Sequence, residues 1–413
     1  MTQPPLADSV LPLIRTRDRE LWKLGRANYQ GGRMREGVGI LEAAEAELDA
    51  DNPAYSGEEI FDVTHRSLAS AMKIIARADD SSGIIGGVIH SLIALHARLS
   101  PYKKTSNRKF AEWFIAFHQN PDVDYFELDP VAYREGLGDD GLALVRAQVE
   151  QWRNTAALKH TDGYQPYIRE DSLVRHFDER FAVLDRDIDA INKAYHDQPV
   201  KQARALAEIS EFDLAIAAAE AGIGSDWGPR QDECANLLLD LISKHQPDRL
   251  EEVARWVVER RPTARFASAY LAALPAERTA AAYEEMLEVL TGQPYQRASF
   301  MFAESDDDLA TLRYIDDHGV DAQHLREDLA ERIFAAEPVI ATRVHLDGIA
   351  ERLVEANSKR YRPAARRIVK VRKKAQAAGS AEAVDAVDAF VSDLRRRYSN
   401  RPSLRAALEA AGL

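Results

Sequence analysis

The sequence predicts an all-α fold assembled as an array of helical hairpins, an α-solenoid. Three observations lead there. Apolar residues recur at helical spacing through most of the chain. Prolines stand in first turns and glycines just past helix ends, the expected asymmetry, because the first amide is unpaired anyway and glycine tolerates a left-handed cap. No stretch carries a strand pattern or a hairpin dipeptide.

The hairpins are clearest from Lys201 to Leu274. Ala203, Leu206 and Ala207 face the same way as Phe212, Ala215, Ala218 and Ala219 once a turn at Ser210 joins the two segments. A second pair sets Leu237, Leu238, Leu241 and Ile242 against Val253, Ala254, Trp256 and Val257, with Pro247 and Asp248 at the opening of its second helix. Equivalent points return about every 32 to 38 residues, the tetratricopeptide-like range. The small residues let helices approach closely, as stacked hairpins require.

Taken in order, the first helix runs through Leu13, Ile14, Leu21 and Leu24, and a second begins near Gly32 and uses Val38, Ile40, Leu41 and Leu48. After the break at Asn52 and Pro53, Ser56 and Glu59 form a capping box for a helix carrying Ile60, Phe61, Leu68, Met72 and Ile75. A turn from Asp79 to Gly83 leads into Ile84 to Leu99. Phe110, Trp113, Phe114 and Phe117 mark a helix ending at Asn120 and Pro121, an acidic and aromatic loop reaches Pro130, and Asp139 or Asp140 caps a helix through Trp152. Periodicity lapses between Thr155 and Ser172, around His160, Asp162, Gly163 and Pro166, so the boundary is set there: 1–158 a helical domain, 159–413 the hairpin domain. One helix from Ser172 to Tyr195 follows. Beyond the hairpins, Pro275, Ser305, Pro338, Pro363, Ser380 and Pro402 open helices, several closed by Gly292, Gly319, Gly379 and Gly412.

Composition narrows the function. The 413 residues are 46% hydrophobic, ample for a core, and lack an uninterrupted apolar run of the roughly 18 residues a membrane helix needs. The start, MTQPPLADSV, has no signal-peptide pattern, so a cytoplasmic protein with no membrane partner is expected. The one cysteine, Cys234, forms no internal disulfide and reads as a buried thiol in an apolar helix. Net charge is −13, unevenly spread: from Glu351 to Leu413 there are 15 Lys plus Arg against 7 Asp plus Glu, leaving −21 for the first 350 residues.

The chain resembles an uncharacterised bacterial helical-repeat family related to the helical regions of SWIM zinc-finger-containing proteins. The likeness rests on Ala76 to Gly86 followed by Leu95 and His96, on Tyr125 to Pro130, on the repeat around Ala205 to Gly222, and on a C-terminal block that includes Tyr361, Ala364, Phe390, Leu394, Arg395, Arg397, Arg401, Leu404, Leu408, Gly412 and Leu413. The cysteines and histidine of the zinc finger are missing here, so the resemblance implies the fold and brings neither zinc nor an activity.

Candidate chemistry is sparse. Glu58, Asp62 and His65 share a helical face, with Asp79, Asp80 and His96 on the adjacent hairpin, and carboxylate-x-x-His is half of a di-metal bundle site. No matching second pair exists, so a solvated face and a capped turn are the favoured reading, with His96 a satisfied core histidine. Asp306, Asp307 and Asp308 read as helix-dipole capping. Gly222, Gly224 and Gly228 follow a helix, where a dinucleotide fingerprint needs a strand. No cofactor and no catalytic residue are expected. The basic tail has the best claim: Arg366, Lys370, Lys373 and Lys374 lie near one stripe, and Arg395, Arg397 and Arg401 add a second cluster. A non-catalytic scaffold for a protein or peptide partner is the leading reading. Nucleic-acid binding through the basic helices is the alternative, and a metal-dependent enzyme the most distant one.

Overall fold

In the computed structural model, residues 5–120, 125–159, 169–224 and 230–413 are described. They form 21 α-helices and a few 3₁₀ turns, with no strand among the described residues. The chain divides into two compact units, Met1–Ala218 and Ala219–Leu413.

The first unit holds α1 (Leu6–Ile14), α2 (Leu24–Ala46), α3 (Gly57–Ile75), α4 (Ile84–Leu99), α5 (Asn107–His118), α6 (Arg134–Lys159), α7 (Arg169–Leu184), α8 (Ile188–Ala194) and α9 (Pro199–Glu208). The division falls inside α10 (Phe212–Ile223). Helices α1 to α4 pack as a bundle, α5 lies on α6, and α6 on α7. One apolar core runs from Leu6 through Ile60, Leu92, Phe114 and Tyr133 to Phe177. The expected domain boundary at 158 and 159 adjoins residues 160–168, which lie outside the described residues along with His160, Asp162, Gly163 and Pro166. Helix α7 packs on α6 and takes α8 and α9 with it, which is why the compact unit reaches Ala218.

The second unit continues with α11 (Arg230–His245), α12 (Leu250–Arg260), α13 (Ala264–Ala272), α14 (Ala276–Val289), α15 (Pro294–Glu304), α16 (Asp308–Asp317), α17 (Gln323–Ile333), α18 (Pro338–Leu353), α19 (Ser358–Ala377), α20 (Ala381–Arg397) and α21 (Pro402–Ala410). Helix α11 packs on α12, α12 on α13, α15 on α16, α16 on α17 and α17 on α18, and α13 also meets α15 while α15 meets α17. That succession of neighbours and next-but-one neighbours is how stacked hairpins bury a continuous core. Helices α18 to α21 close on one another around Ile349, Ile368, Val387 and Leu404. Cys234 is buried in α11.

Local chemistry explains where the helices break. Residues 15–23 are not helical as the periodicity suggests: Thr16 and Asp18 side chains accept the amides of Asp18 and Glu20, an alternative to helical bonds. Helix α2 begins at Leu24 rather than near Gly32. Ser56 caps α3 by accepting Glu59 N at 3.2 Å, but the Glu59 carboxylate turns away from a reciprocal box and accepts Leu6 N at 3.2 Å instead. Asp80 serves the start of α4, its two oxygens taking Ile85 N and Gly86 N at 2.8 Å each. Helix α6 starts before Asp139 and kinks at Gly138, whose φ of 60° and ψ of 177° suit glycine alone. The single helix expected from Ser172 to Tyr195 is two, split where Arg186 adopts φ 56° and Asp187 caps α8. Asp307, not Ser305, caps α16, and α19 starts at Ser358 under Asn357, with Pro363 inside its second turn. The turn at Ser210 (φ 68°), the Ser380 cap and the left-handed Gly379 and Gly412 are as read from sequence.

The aromatic, acidic loop before α6 is held by two histidines with opposite roles. His118, 2% exposed, donates from Nδ1 to Phe114 O at 2.9 Å and accepts Leu128 N at Nε2 at 3.0 Å, so only the neutral ring fits; burial pulls its pKa down to about 4. His176 instead sits 2.9 Å from Glu127 and 3.2 Å from Leu128 O, one acceptor for each nitrogen. Burial works against its cation, yet the Glu127 carboxylate prevails and its pKa is raised. Arg180 grips Asp129 through two bonds of 2.9 and 2.7 Å.

The segment Ile84–Tyr102, 19 residues, is long and apolar enough to cross a membrane by length and composition; half of it is buried inside the fold, where α4 packs on α2 and α3.

Candidate functional site

Two places gather the residues that sequence reading singled out. The first is a groove of about 580 Å³ between α3 and α5, lined by Ser56, Asp62 and His65 on one side and Lys104, Phe110 and Trp113 on the other. The acidic rim is neutralised: Glu58 pairs with Lys104 at 2.7 Å and Asp62 with Arg66 at 3.0 Å. His65 joins His96 on α4, Nδ1 to Nε2 at 2.9 Å, and His96 Nδ1 meets Tyr133 Oη at 2.9 Å. Burial lowers the pKa of His65, with Asp62 opposing, and lowers that of fully buried His96 well below the ordinary value. Both rings are therefore neutral at pH 7.

This arrangement does not make the di-metal half-site. Among the described residues no group of three or more His, Cys, Asp or Glu stands where it could hold a metal ion. Glu58, Asp62 and His65 do share the face, but the two carboxylates are turned to cations and the imidazole to His96. Asp79 and Asp80 are spent on the turn before α4. His96 is a satisfied core histidine, as read. What sequence reading missed is that His65 is its partner, 31 residues away, and that Tyr133 and Trp113 complete the cluster. No local spacing signals a contact among three separate helices and a loop.

The second place is α19. Its 20 residues include Lys359, Arg360, Arg362, Arg366, Arg367, Lys370, Arg372, Lys373 and Lys374, and not one acidic residue. The helix divides them by face. On the inner side Arg367 reaches Glu327 of α17 at 2.7 Å, which also holds Arg352 at 2.9 Å, and Lys374 pairs with Glu331. Glu327 is only 16% exposed, so this pairing is less screened than a surface one. Gly348 on α18 permits it, since a Cβ there would meet Glu327 and Gln323. His345 lies 3.7 Å from Glu331, but burial lowers its pKa and keeps it neutral, so no ion pair forms.

On the outer side Lys359, Arg362, Arg366, Lys370 and Lys373 stand at i, i+3, i+7, i+11 and i+14, within one quadrant of the helix and over about 21 Å of its length. All five are exposed. Lys370 touches Glu331 at 3.6 Å; the other four have no ion pair among the described residues. The second cluster is not available in the same way. Arg395 donates to the Leu413 backbone oxygen, Arg397 pairs with Asp393 at 2.9 Å, and Arg401 donates to Leu353 O and Val354 O at 2.6 and 3.0 Å while stacking on Tyr398. Of the seven basic residues expected to meet a partner, Arg366, Lys370 and Lys373 face outward, and Lys374, Arg395, Arg397 and Arg401 are engaged within the fold. Lys359 and Arg362 join the outward set.

Residues 41–405 match the family described as "Family of unknown function (DUF6880)". The chain belongs to this family. Its description carries no activity, and DUF6880 here spans both units. No curated protein matches the sequence significantly. Among solved structures, a "Circular tandem repeat protein with novel repeat topology and enhanced subunit contact surfaces" is similar at 12% identity, over 98% of this chain and 83% of that one, with a TM-score of 0.16.

Proposed function

We propose that this DUF6880 member is a non-catalytic helical-repeat scaffold that binds an acidic protein segment along the outer face of α19. The observation that supports it is the five-residue cationic stripe, which has no neutralising carboxylates of its own helix and sits back to back with a neutralised one. Ionic contacts of this kind steer association and set register. The stripe offers no base-stacking platform, because Tyr361 is 5% exposed and Tyr398 lies under Arg401. That favours carboxylates over a single-stranded nucleic acid. Binding of duplex phosphates by the same stripe is the second reading, supported by its straight 21 Å run alone, about the length of one helix face of this size. The relation to SWIM-containing proteins rests on the residues quoted for it and belongs with these proposals, as does a cytoplasmic location.

Fluorescence anisotropy with a labelled glutamate-rich peptide and with duplex DNA, each at low and physiological salt, tests the reading. Salt-sensitive peptide binding tighter than duplex binding supports it. Tighter duplex binding transfers the stripe to the second reading, and no binding of either removes both.

A further inference from the structure

We propose that a groove between the end of α1 and the last turns of α3 binds a small molecule carrying two or more linked phosphate groups. The groove, of about 1030 Å³, is lined by Arg15, Thr16 and Arg17 on one side and by Lys73 and Arg77 on the other. Four cations line it, and no carboxylate does among the described residues. The first 350 residues carry a net charge of −21, so the general surface charge does not produce such a lining. A cleft walled by one sign of charge concentrates ligands of the other.

The site is built as well as charged. Arg77 donates to Asp18 O at 3.1 Å and to Thr16 O at 3.3 Å, which ties the segment after α1 to the end of α3 and fixes one guanidinium in the wall. Thr16 Oγ1 accepts Asp18 N at 3.1 Å and keeps its own proton for a ligand oxygen. Arg15, Arg17 and Lys73 are exposed and have no ion pair among the described residues. The carboxylates nearest in sequence are turned elsewhere: Asp18 faces Arg26 at 3.8 Å, Glu20 pairs with Lys23, and Asp79 accepts Ser81 N at 3.1 Å. Helix ends do not account for the charge either. The C-termini of α1 and α3 offer about half a negative charge each, and Gln30 already serves Leu13 O and Ile14 O at 3.0 and 2.9 Å. An excess of about three positive charges remains. One phosphate group brings about −1.5 to −2 and leaves that excess unbalanced, whereas two or three linked groups balance it. Arginine suits them, because its planar fork gives two parallel bonds to phosphate oxygens. The groove volume stands at the upper end of the about 300–1,000 Å³ of small-molecule sites, which favours a small molecule.

The test is titration calorimetry of the full chain with inorganic triphosphate and with orthophosphate, with no divalent cation added. Triphosphate should bind about tenfold tighter or more. Arg15→Gln/Lys73→Gln should weaken triphosphate about a hundredfold, near tenfold for each charged hydrogen bond lost. Arg362→Gln/Arg366→Gln/Lys373→Gln, on α19, should bind it as the wild type does. Acetylation of the wild-type chain, read by mass spectrometry, should show triphosphate shielding Lys73 and not Lys373. Equal binding of the two anions, wild-type affinity in the groove variant, loss of binding in the α19 variant, or acetylation of Lys73 that triphosphate leaves unchanged each overturns the proposal. The acetylation result decides the matter even where the groove variant fails to fold.

Discussion

His118 makes the first unit acid-labile in a way that can be calculated. Its folded pKa of about 4 stands below the ordinary 6.5 because the ring is buried and one nitrogen must accept the Leu128 amide. The group is neutral in the fold, so the unfolded chain takes up its proton first. Its stabilisation is complete above pH 6.5 and is lost as pH falls from there through about 4. The gap of about 2.5 units, at 1.36 kcal/mol each, implies a loss of about 3 kcal/mol between pH 7 and pH 4. Against a typical total of about 5–15 kcal/mol that loss is large. His118→Gln keeps an acceptor for Leu128 and a donor for Phe114 but does not titrate. Urea unfolding followed through Trp152, whose ring is 5.7 Å from Phe177 in contact with His118, should show the wild type losing about 3 kcal/mol more than the variant from pH 7 to 4. Parallel pH profiles for the two proteins would refute the reasoning.

Other predictions concern the same contacts and the scaffold. The raised pKa of His176 places its contribution on the other side: present below pH 6.5 and lost as pH rises through the folded value, so Glu127→Gln should flatten the alkaline limb of the stability profile. Gly138→Ala forces a side chain into a backbone conformation suited to glycine and against Asn107; it should cost about 1–3 kcal/mol from the backbone alone, read by thermal melting. Ile368→Ala empties a fully buried position beneath the cationic stripe and should cost about 2–5 kcal/mol in denaturant unfolding, with α19 exchanging its amides faster.

The fold was legible because each helix carries its own signal. Ile60, Phe61, Leu68 and Met72 repeat at helical spacing, and Ser380 with Gly379 marks a junction by backbone chemistry that needs no tertiary context. The misreadings cluster where tertiary contacts override local preference. Glu59 leaves its capping box for the Leu6 amide, and Gly31 and Gly32 ride inside α2, with Gly31 against Ile84. The sites were legible in part. Charge counting finds the basic tail, yet cannot separate Arg366 from Arg367, whose fates differ because one faces water and the other Glu327. The His65 to His96 to Tyr133 chain joins residues from 31 to 68 positions apart, and such pairings leave no mark on a single sequence.

The two faces of α19 provide the most direct test of the scaffold reading. Anisotropy with the glutamate-rich peptide and thermal melting are measured together on two variants, Arg362→Gln/Arg366→Gln/Lys373→Gln on the outer face and Arg367→Gln/Lys374→Gln on the inner one. The outer variant should weaken peptide binding about tenfold, a few tenths to 1 kcal/mol per charge, with an unchanged melting temperature. The inner one should melt earlier and bind the peptide as the wild type does. Wild-type affinity in the outer variant would contradict the account.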